Sequence, residues 1–199
     1  MTSPDPQRLA QQLRFITELD RLKQVLRQTR LMDASRRENS AEHSWHLAVM
    51  ATILLEYAPA GTDLTRVLEM VVFHDVVEIE AGDTFAFDVQ ANHDKSAREQ
   101  AAATSIFGLL PDDLEVRLRG LWDEFESAAT NEARFANALD RLQPLLHNYH
   151  TQGGTWRAHQ VSRDRVRERM RPIEYGAPTL WPYVLRLIDD AQQQGFLVS

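Results

Sequence analysis

The sequence predicts a single all-α domain, residues 1–199. Apolar residues recur at helical spacing through nearly every segment, and no stretch of useful length alternates apolar and polar residues as a half-buried strand does. Glycine and proline punctuate the chain into helix-length pieces. Its 199 residues suffice for one full core, and 43% apolar with 26% charged residues is ordinary for a globular chain. There is no internal repeat and no low-complexity segment.

The elements follow in order. After Pro4 and Pro6, the residues Leu9, Leu13, Ile16, Leu19, Leu22 and Leu26 predict one long amphipathic helix. Asn39-Ser40-Ala41-Glu42 has the form of a helix N-terminus with a glutamate three residues past the cap. The helix it opens carries His43, Leu47, Met50, Leu54 and Tyr57 on one face and ends at Pro59 and Gly61. A third helix is expected over 63–80, stopping at Ala81-Gly82-Asp83, then an acidic and aromatic loop with Phe85, Phe87 and Asp88. A fourth covers 94–107, and a shorter one holds Leu114, Leu118, Leu121 and Trp122. Residues 131–150 form the next, with Phe135, Leu139, Leu142, Leu146 and Tyr149 beside a polar stripe of Asp140, Gln143, His147 and His150. Gly153-Gly154 breaks it, and two more helices are expected near 162–171 and 178–194.

Composition bounds the function. No run of about 18 apolar residues exists, so no membrane-spanning helix is expected. The N-terminus lacks the basic and apolar regions of a signal peptide, which fits a cytoplasmic protein. The absence of cysteine excludes disulfides and thiolate metal sites. A net charge of -7 argues against a nucleic-acid-binding surface, while leaving room for a small phosphorylated substrate in a locally basic cleft. The arginines at 163, 165, 167, 169 and 171 read as a solvated helix face. Phe85, Phe87 and Trp156 are open between core and a base pocket; Trp122 reads as core.

The chemistry is concentrated at Val71-Val72-Phe73-His74-Asp75-Val76-Val77-Glu78. The stripe of Leu64, Leu68 and Val71 continues into Asp75 and Glu78, and a neighbouring stripe runs Val67, Val71, His74, Glu78. Unpaired buried carboxylates are costly, so three ionisable groups on a core-facing side imply pairing or a metal. Adjacent His74 and Asp75 lie about 100° apart around a helix, near enough to bend toward one ion. His43 and Asp140 supply two further candidates. Alone, each has an ordinary structural explanation, a satisfied core histidine and an ion pair with Arg141 or Arg30. Together the four form a two-histidine, two-carboxylate set suited to a divalent ion. His46 reads as structural or as support for the ligands.

The ordered set His43, His74-Asp75 and Asp140 resembles the HD-domain superfamily of metal-dependent phosphohydrolases. Two blocks, Arg36-Arg37-Glu38-Asn39-Ser40-Ala41-Glu42-His43-Ser44-Trp45-His46 and His74-Asp75-Val76-Val77-Glu78-Ile79-Glu80-Ala81-Gly82-Asp83, resemble the small bacterial HD hydrolases related to 5'-deoxynucleotidases. The likeness spans about residues 19–187. It implies an HD-type helical bundle, with His43, His74, Asp75 and Asp140 as ligands of one divalent ion (Mn, Co, Zn, Fe, Mg or Ni). It also implies Glu78 and Asp83 as the acidic pair that positions or activates the attacking water, and a homodimer. The 5'-deoxynucleotidases have an Arg-Trp pair that helps hold substrate. Here the region reads Arg27-Gln28-Thr29-Arg30-Leu31 without tryptophan, which leaves the deoxynucleotide preference open. Arg27 is the first candidate for a phosphate contact and Arg30 the second.

The expected activity is hydrolysis of a (deoxy)nucleoside 5'-monophosphate or a similar small phosphomonoester. A (p)ppGpp-type pyrophosphohydrolase is the first rival, weakened because Glu78 and Glu80 replace an adjacent Glu-Asp pair. A di-iron oxygenase needs more histidines than His93 between the HD pair and the last aspartate. A non-catalytic metal- or nucleotide-binding module is the third rival.

Overall fold

The computed structural model describes residues 5–88 and 90–198, so Pro4 lies outside the described residues. Helix α1 (Pro6–Leu19) starts where the Asp5 carboxylate accepts a hydrogen bond from the Gln7 amide, with Pro6 at the first helical position. Its expected extension to Leu26 does not occur. A 3-10 turn (Asp20–Gln24) follows, and the chain then enters strand β1 (Leu26–Arg30), antiparallel to β2 (Arg37–Asn39). The pairing aligns Leu26 with Asn39 and Arg30 with Arg37. This hairpin was not expected, because Leu-Arg-Gln-Thr-Arg has neither alternation nor a β-branched majority. Local chemistry holds it: Arg37 donates to the carbonyls of Leu26 and Arg27, and Ala34 turns with φ 60°.

β2 runs directly into α2 (Ser40–Ile53). Asn39 and Glu42 form the reciprocal cap expected of their spacing, the Asn39 side chain accepting from the Glu42 amide and the Glu42 carboxylate from the Asn39 amide. The helix ends earlier than expected, and Leu55–Tyr57 form a separate 3-10 turn.

The expected helix over 63–80 is interrupted. α3 (Leu64–Phe73) stops at His74, and α4 (Glu78–Ala81) resumes after a tight turn. Through the break the amides of Val76, Glu78 and Ile79 bond three residues back, to Phe73, Asp75 and Val76. The two β-branched pairs Val71-Val72 and Val76-Val77 flank it, side chains that crowd a regular helix. Gly82 closes α4 with φ 73°.

α5 (Lys95–Phe107) and α6 (Asp112–Ser127) follow, α6 longer than its apolar residues alone indicated. α7 (Asn131–His150) has the bounds its periodicity predicts. Inside it, Pro144 offers no N–H to the carbonyl of Asp140, four residues back. Beyond it lie α8 (Gly154–Ala158), α9 (Arg163–Arg169), α10 (Pro172–Gly176) and α11 (Trp181–Gln193). The short α8 and α10 have no periodicity to read.

α7 runs through the core, with Phe135, Ala136 and Leu139 fully covered. Phe15 of α1 stacks between Phe73 and Phe107, at 6.4 and 6.3 Å. α10 lies so close to α7 that a Cβ at Gly176 would stand 2.0 Å from the Arg134 carbonyl oxygen. Trp122 is core, as expected, and its indole N–H donates to the His74 carbonyl at 3.0 Å, pinning the break from below. No helix among the described residues is long and apolar enough to cross a membrane.

Candidate metal centre

Three elements converge on one buried point: α2 brings His43, the break after α3 brings His74 and Asp75, and α7 brings Asp140. His43 Nε2 is 2.9 Å from Asp140 Oδ1 and 3.9 Å from Asp75 Oδ2. His74 Nε2 is 3.0 Å from Asp75 Oδ1 and 3.8 Å from Asp140 Oδ1. The ligand atoms of His43, His74 and Asp140 lie within 4.8 Å of one another.

The donor chemistry fits a divalent ion. His74 Nδ1 donates to the Val71 carbonyl at 3.0 Å, which makes Nε2 the ligating atom once the ring gives up its second proton to an ion, and that buried atom has no hydrogen-bond partner. The helix break makes this possible: it frees the Val71 carbonyl and turns His74 and Asp75 to the same side. Two imidazole nitrogens and two carboxylates without sulfur suit Mn, Fe, Co, Ni or Zn, and leave coordination positions for water and substrate.

The surrounding charges are strongly perturbed. Burial pushes the His43 imidazole down to about 4, helped by the positive charge of Arg27. Burial also works against charge on His74, but Asp75 and Asp140 outweigh it and lift that ring to about 9. Asp140 is buried too, yet Arg141 and the two histidines hold its carboxyl well below the usual range.

The remaining predicted residues separate. Glu78 is buried and accepts from Ser40 Oγ at 2.6 Å; burial first, then Asp75, lifts its carboxyl well above the usual carboxylate range. Asp83 is half-buried and lifted for the same two reasons, with Arg27 opposing. Both line the cavity that opens onto His74, Asp75 and Asp140. Arg27 lines it as well, donating to Asp75 Oδ2 at 2.8 Å. Arg30 does not: it is exposed and donates to the Ala34 carbonyl. Successive residues of a strand face opposite sides, and Arg27 and Arg30 of β1 are three apart, so one faces in and the other out. Phe85, Phe87 and Trp156 form aromatic wall of the same cavity.

Behind His43 stands a polar group that sequence reasoning missed as a unit. Glu38 is buried, its Oε1 accepts from Gln143 Nε2 at 2.5 Å, and Gln143 in turn lies 3.1 Å from His147 Nε2 and 3.4 Å from His46 Nδ1. Burial pushes the Glu38 carboxyl up to about 7 against the pull of Arg27 and Gln143. The signal was present in part, since Gln143 and His147 share the polar stripe of α7 with Asp140. Arg141 and Arg169, which also line the cavity, carried no such signal.

A family model described as HD domain matches residues 19–181. The 5'-deoxynucleotidase HDDC2 of Xenopus laevis is 32% identical over 135 residues, covering 67% of this chain and 66% of that protein. The Mus musculus protein of the same name is 30% identical with the same coverage, so the chain spans just under two thirds of these relatives' length. A crystal structure from Magnetospirillum magnetotacticum MS-1, described as a predicted metal-dependent phosphohydrolase, shares 50% identity and a TM-score of 0.94 over 100% of both chains. A conserved hypothetical protein from Pyrococcus furiosus has the same fold, with 19% identity and a TM-score of 0.61 over 91% of this chain and 99% of that one. With the family model covering most of its length, and with the paired histidines and aspartates gathered at one point, this chain belongs to the HD domain family.

Proposed function

We propose that the protein is a metal-dependent phosphohydrolase that removes the phosphate of a (deoxy)nucleoside 5'-monophosphate or a similar small phosphomonoester. The observation that carries this reading is the meeting, on one cavity, of His74, Asp75 and Asp140, with His43 buried beside them, and of the acids Glu78 and Asp83 and Arg27. The names of the HDDC2 proteins and of the Magnetospirillum structure support it.

His43, His74, Asp75 and Asp140 would hold one divalent ion, Mn, Co, Zn, Fe, Mg or Ni, which supplies a Lewis acid for the phosphoryl oxygens and a more acidic water. Glu78 orients the attacking water and accepts its proton. Burial and the neighbouring Asp75 raise its pKa, which strengthens its carboxylate as a base, and Asp83 shares that role across the cavity. The guanidinium of Arg27, fixed by Asp75, faces the cavity and stabilises charge on the phosphoryl group. Water oxygen joins phosphorus as the ester P–O bond breaks, and the leaving alkoxide takes up a proton to give nucleoside and inorganic phosphate. Phe85, Phe87 and Trp156 are suited to flank the rest of the substrate.

The test is metal content by elemental analysis with a phosphate-release screen of nucleoside monophosphates, sugar phosphates and a guanosine polyphosphate. Release from a monophosphate supports the reading. Release of pyrophosphate from the guanosine compound alone, or bound metal with no turnover on any of them, overturns it in favour of the pyrophosphohydrolase or the binding module.

We also propose a cytoplasmic homodimer. Trp45, Val49 and Ile53 stand at i, i+4 and i+8 of α2 and are 68%, 37% and 66% exposed, an apolar stripe that a second copy would cover. Light scattering after gel filtration tests it; a monomer at all concentrations overturns it.

A further inference from the structure

The cavity at the metal centre continues outward. It shares Ala86, Phe87, Asn137, Arg141 and Arg169 with a second, more open cavity. The walls of that outer cavity carry five arginines, Arg134, Arg141, Arg165, Arg169 and Arg171, against one carboxylate, Glu168. On a chain of net charge -7 this is a local reversal of sign.

Several of these guanidinium groups are held without a carboxylate. Arg165 donates to the Phe87 carbonyl at 2.7 Å and lies over the Phe87 ring at 5.3 Å. Arg134 Nε donates to the Ala128 carbonyl, and Arg171 to the Tyr175 hydroxyl at 3.1 Å, with Glu168 3.5 Å from its other nitrogen. Arg169, at the junction of the two cavities, has no hydrogen bond or ion pair among the described residues. Burial, then the like charges of Arg141 and Arg27, push its guanidinium down to about 10, so it stays charged at neutral pH with an unmet demand for an anion.

A single phosphate at the metal centre is served by the ligand set and Arg27. The arginines extend beyond it, and their planar forks match phosphate oxygens. We infer that the outer cavity is a second anion subsite, which binds a phosphate other than the one cleaved. The ligand class is a small nucleotide with two separate phosphates, such as a nucleoside 3',5'-bisphosphate. The 5'-phosphate sits at the metal centre, the second among Arg165, Arg169 and Arg171. This rests on the phosphohydrolase reading for the cleaved group only.

The experiment compares kcat/KM of the metal-loaded protein on a nucleoside 5'-monophosphate and the matching 3',5'-bisphosphate, with calorimetric binding of both. The wild type is expected to prefer the bisphosphate by about tenfold or more, mainly through KM, the scale of one charge-assisted contact. Arg171→Glu and Arg169→Gln should each remove most of that preference, losing far more on the bisphosphate than on the monophosphate. Equal affinity of the wild type for both ligands overturns the subsite, as does an equal loss on both in Arg171→Glu, whose exposed position leaves folding intact by circular dichroism. Binding preference without any turnover keeps the subsite and overturns the hydrolase reading instead. A still stronger preference for a 5'-phosphorylated oligonucleotide overturns the assignment to a small nucleotide.

Discussion

Glu38 Oε2 lies 3.8 Å from His43 Nδ1, and neither atom has a hydrogen-bond partner. His43 therefore stands between two acids, with Asp140 on its Nε2 side and Glu38 behind it. A carboxylate on the far nitrogen of a ligating histidine fixes its tautomer and raises its basicity. Glu38→Gln should lower metal affinity about 10- to 100-fold with the fold intact. Competition against a chromogenic chelator reads this directly, and unchanged affinity would remove Glu38 from that role.

Removing a ligand should be more severe. His74→Ala and Asp140→Asn are each expected to lose bound metal and to cut phosphate release at least about a hundredfold, while far-ultraviolet circular dichroism keeps its helical form. Stripping the wild type with a chelator should do the same reversibly. Full turnover with stoichiometric metal in His74→Ala would mean the ion sits elsewhere.

Glu78 has a different signature. Glu78→Gln should retain metal yet lower kcat by about 10² to 10⁴, the usual worth of a general base. Ser40 Oγ donates to its carboxylate and so favours the charged form. Ser40→Ala removes that donor, raises the carboxyl pKa further and should move the acid limb of the pH–rate profile to higher pH. A limb that stays in place argues that another group titrates.

Acid stability should depend on His147. Burial holds its pKa near 4, below the ordinary 6.5, so the unfolded chain binds the proton first. Its contribution is present above pH 6.5 and is lost as pH falls from there through about 4. His147→Gln should therefore show a shallower fall of Tm across that window than the wild type. Glu38, lifted to about 7, works in the opposite direction and is common to both proteins. Parallel Tm curves would refute the assignment.

Gly176 tests the packing of α10 on α7. A methyl group there meets the Arg134 backbone oxygen at 2.0 Å, and backbone cannot swing aside as a side chain can. Gly176→Ala should cost about 1–3 kcal/mol, a fall in Tm of roughly 2–12 °C for a chain of this size. A Tm within a degree of wild type would show that α10 shifts freely.

How far the sequence reaches depends on which physical signal each part leaves. α7 was legible to its ends because twenty residues of four-and-three spacing carry both its apolar face and, beside it, Asp140. His74, Asp75 and Glu78 stood out as ionisable groups on an apolar stripe, and the structure does place them on the core side. The break between α3 and α4 was hidden, since no glycine or proline marks it and the apolar residues run on through Val76, Val77 and Ile79. The hairpin was hidden because its strands pair through backbone and through Arg37, not through an alternating face. Arg169 was hidden for another reason. In a run of arginines at every second position, periodicity cannot say which one turns inward, and only the packing of α9 decides.

The contact between His43 and Asp140 joins residues 97 apart in sequence. An ion held there, and by His74 and Asp75, would rivet α2, the α3–α4 break and α7 together, adding to apolar packing and to single polar contacts such as that of Ser40 with Glu78. Holding a ligand at a hundred times its dissociation constant adds about 2.7 kcal/mol to folding stability. The centre would then act as a thermal clamp as well as a reaction site, and a cell short of metal would hold a softer protein, not merely an idle one.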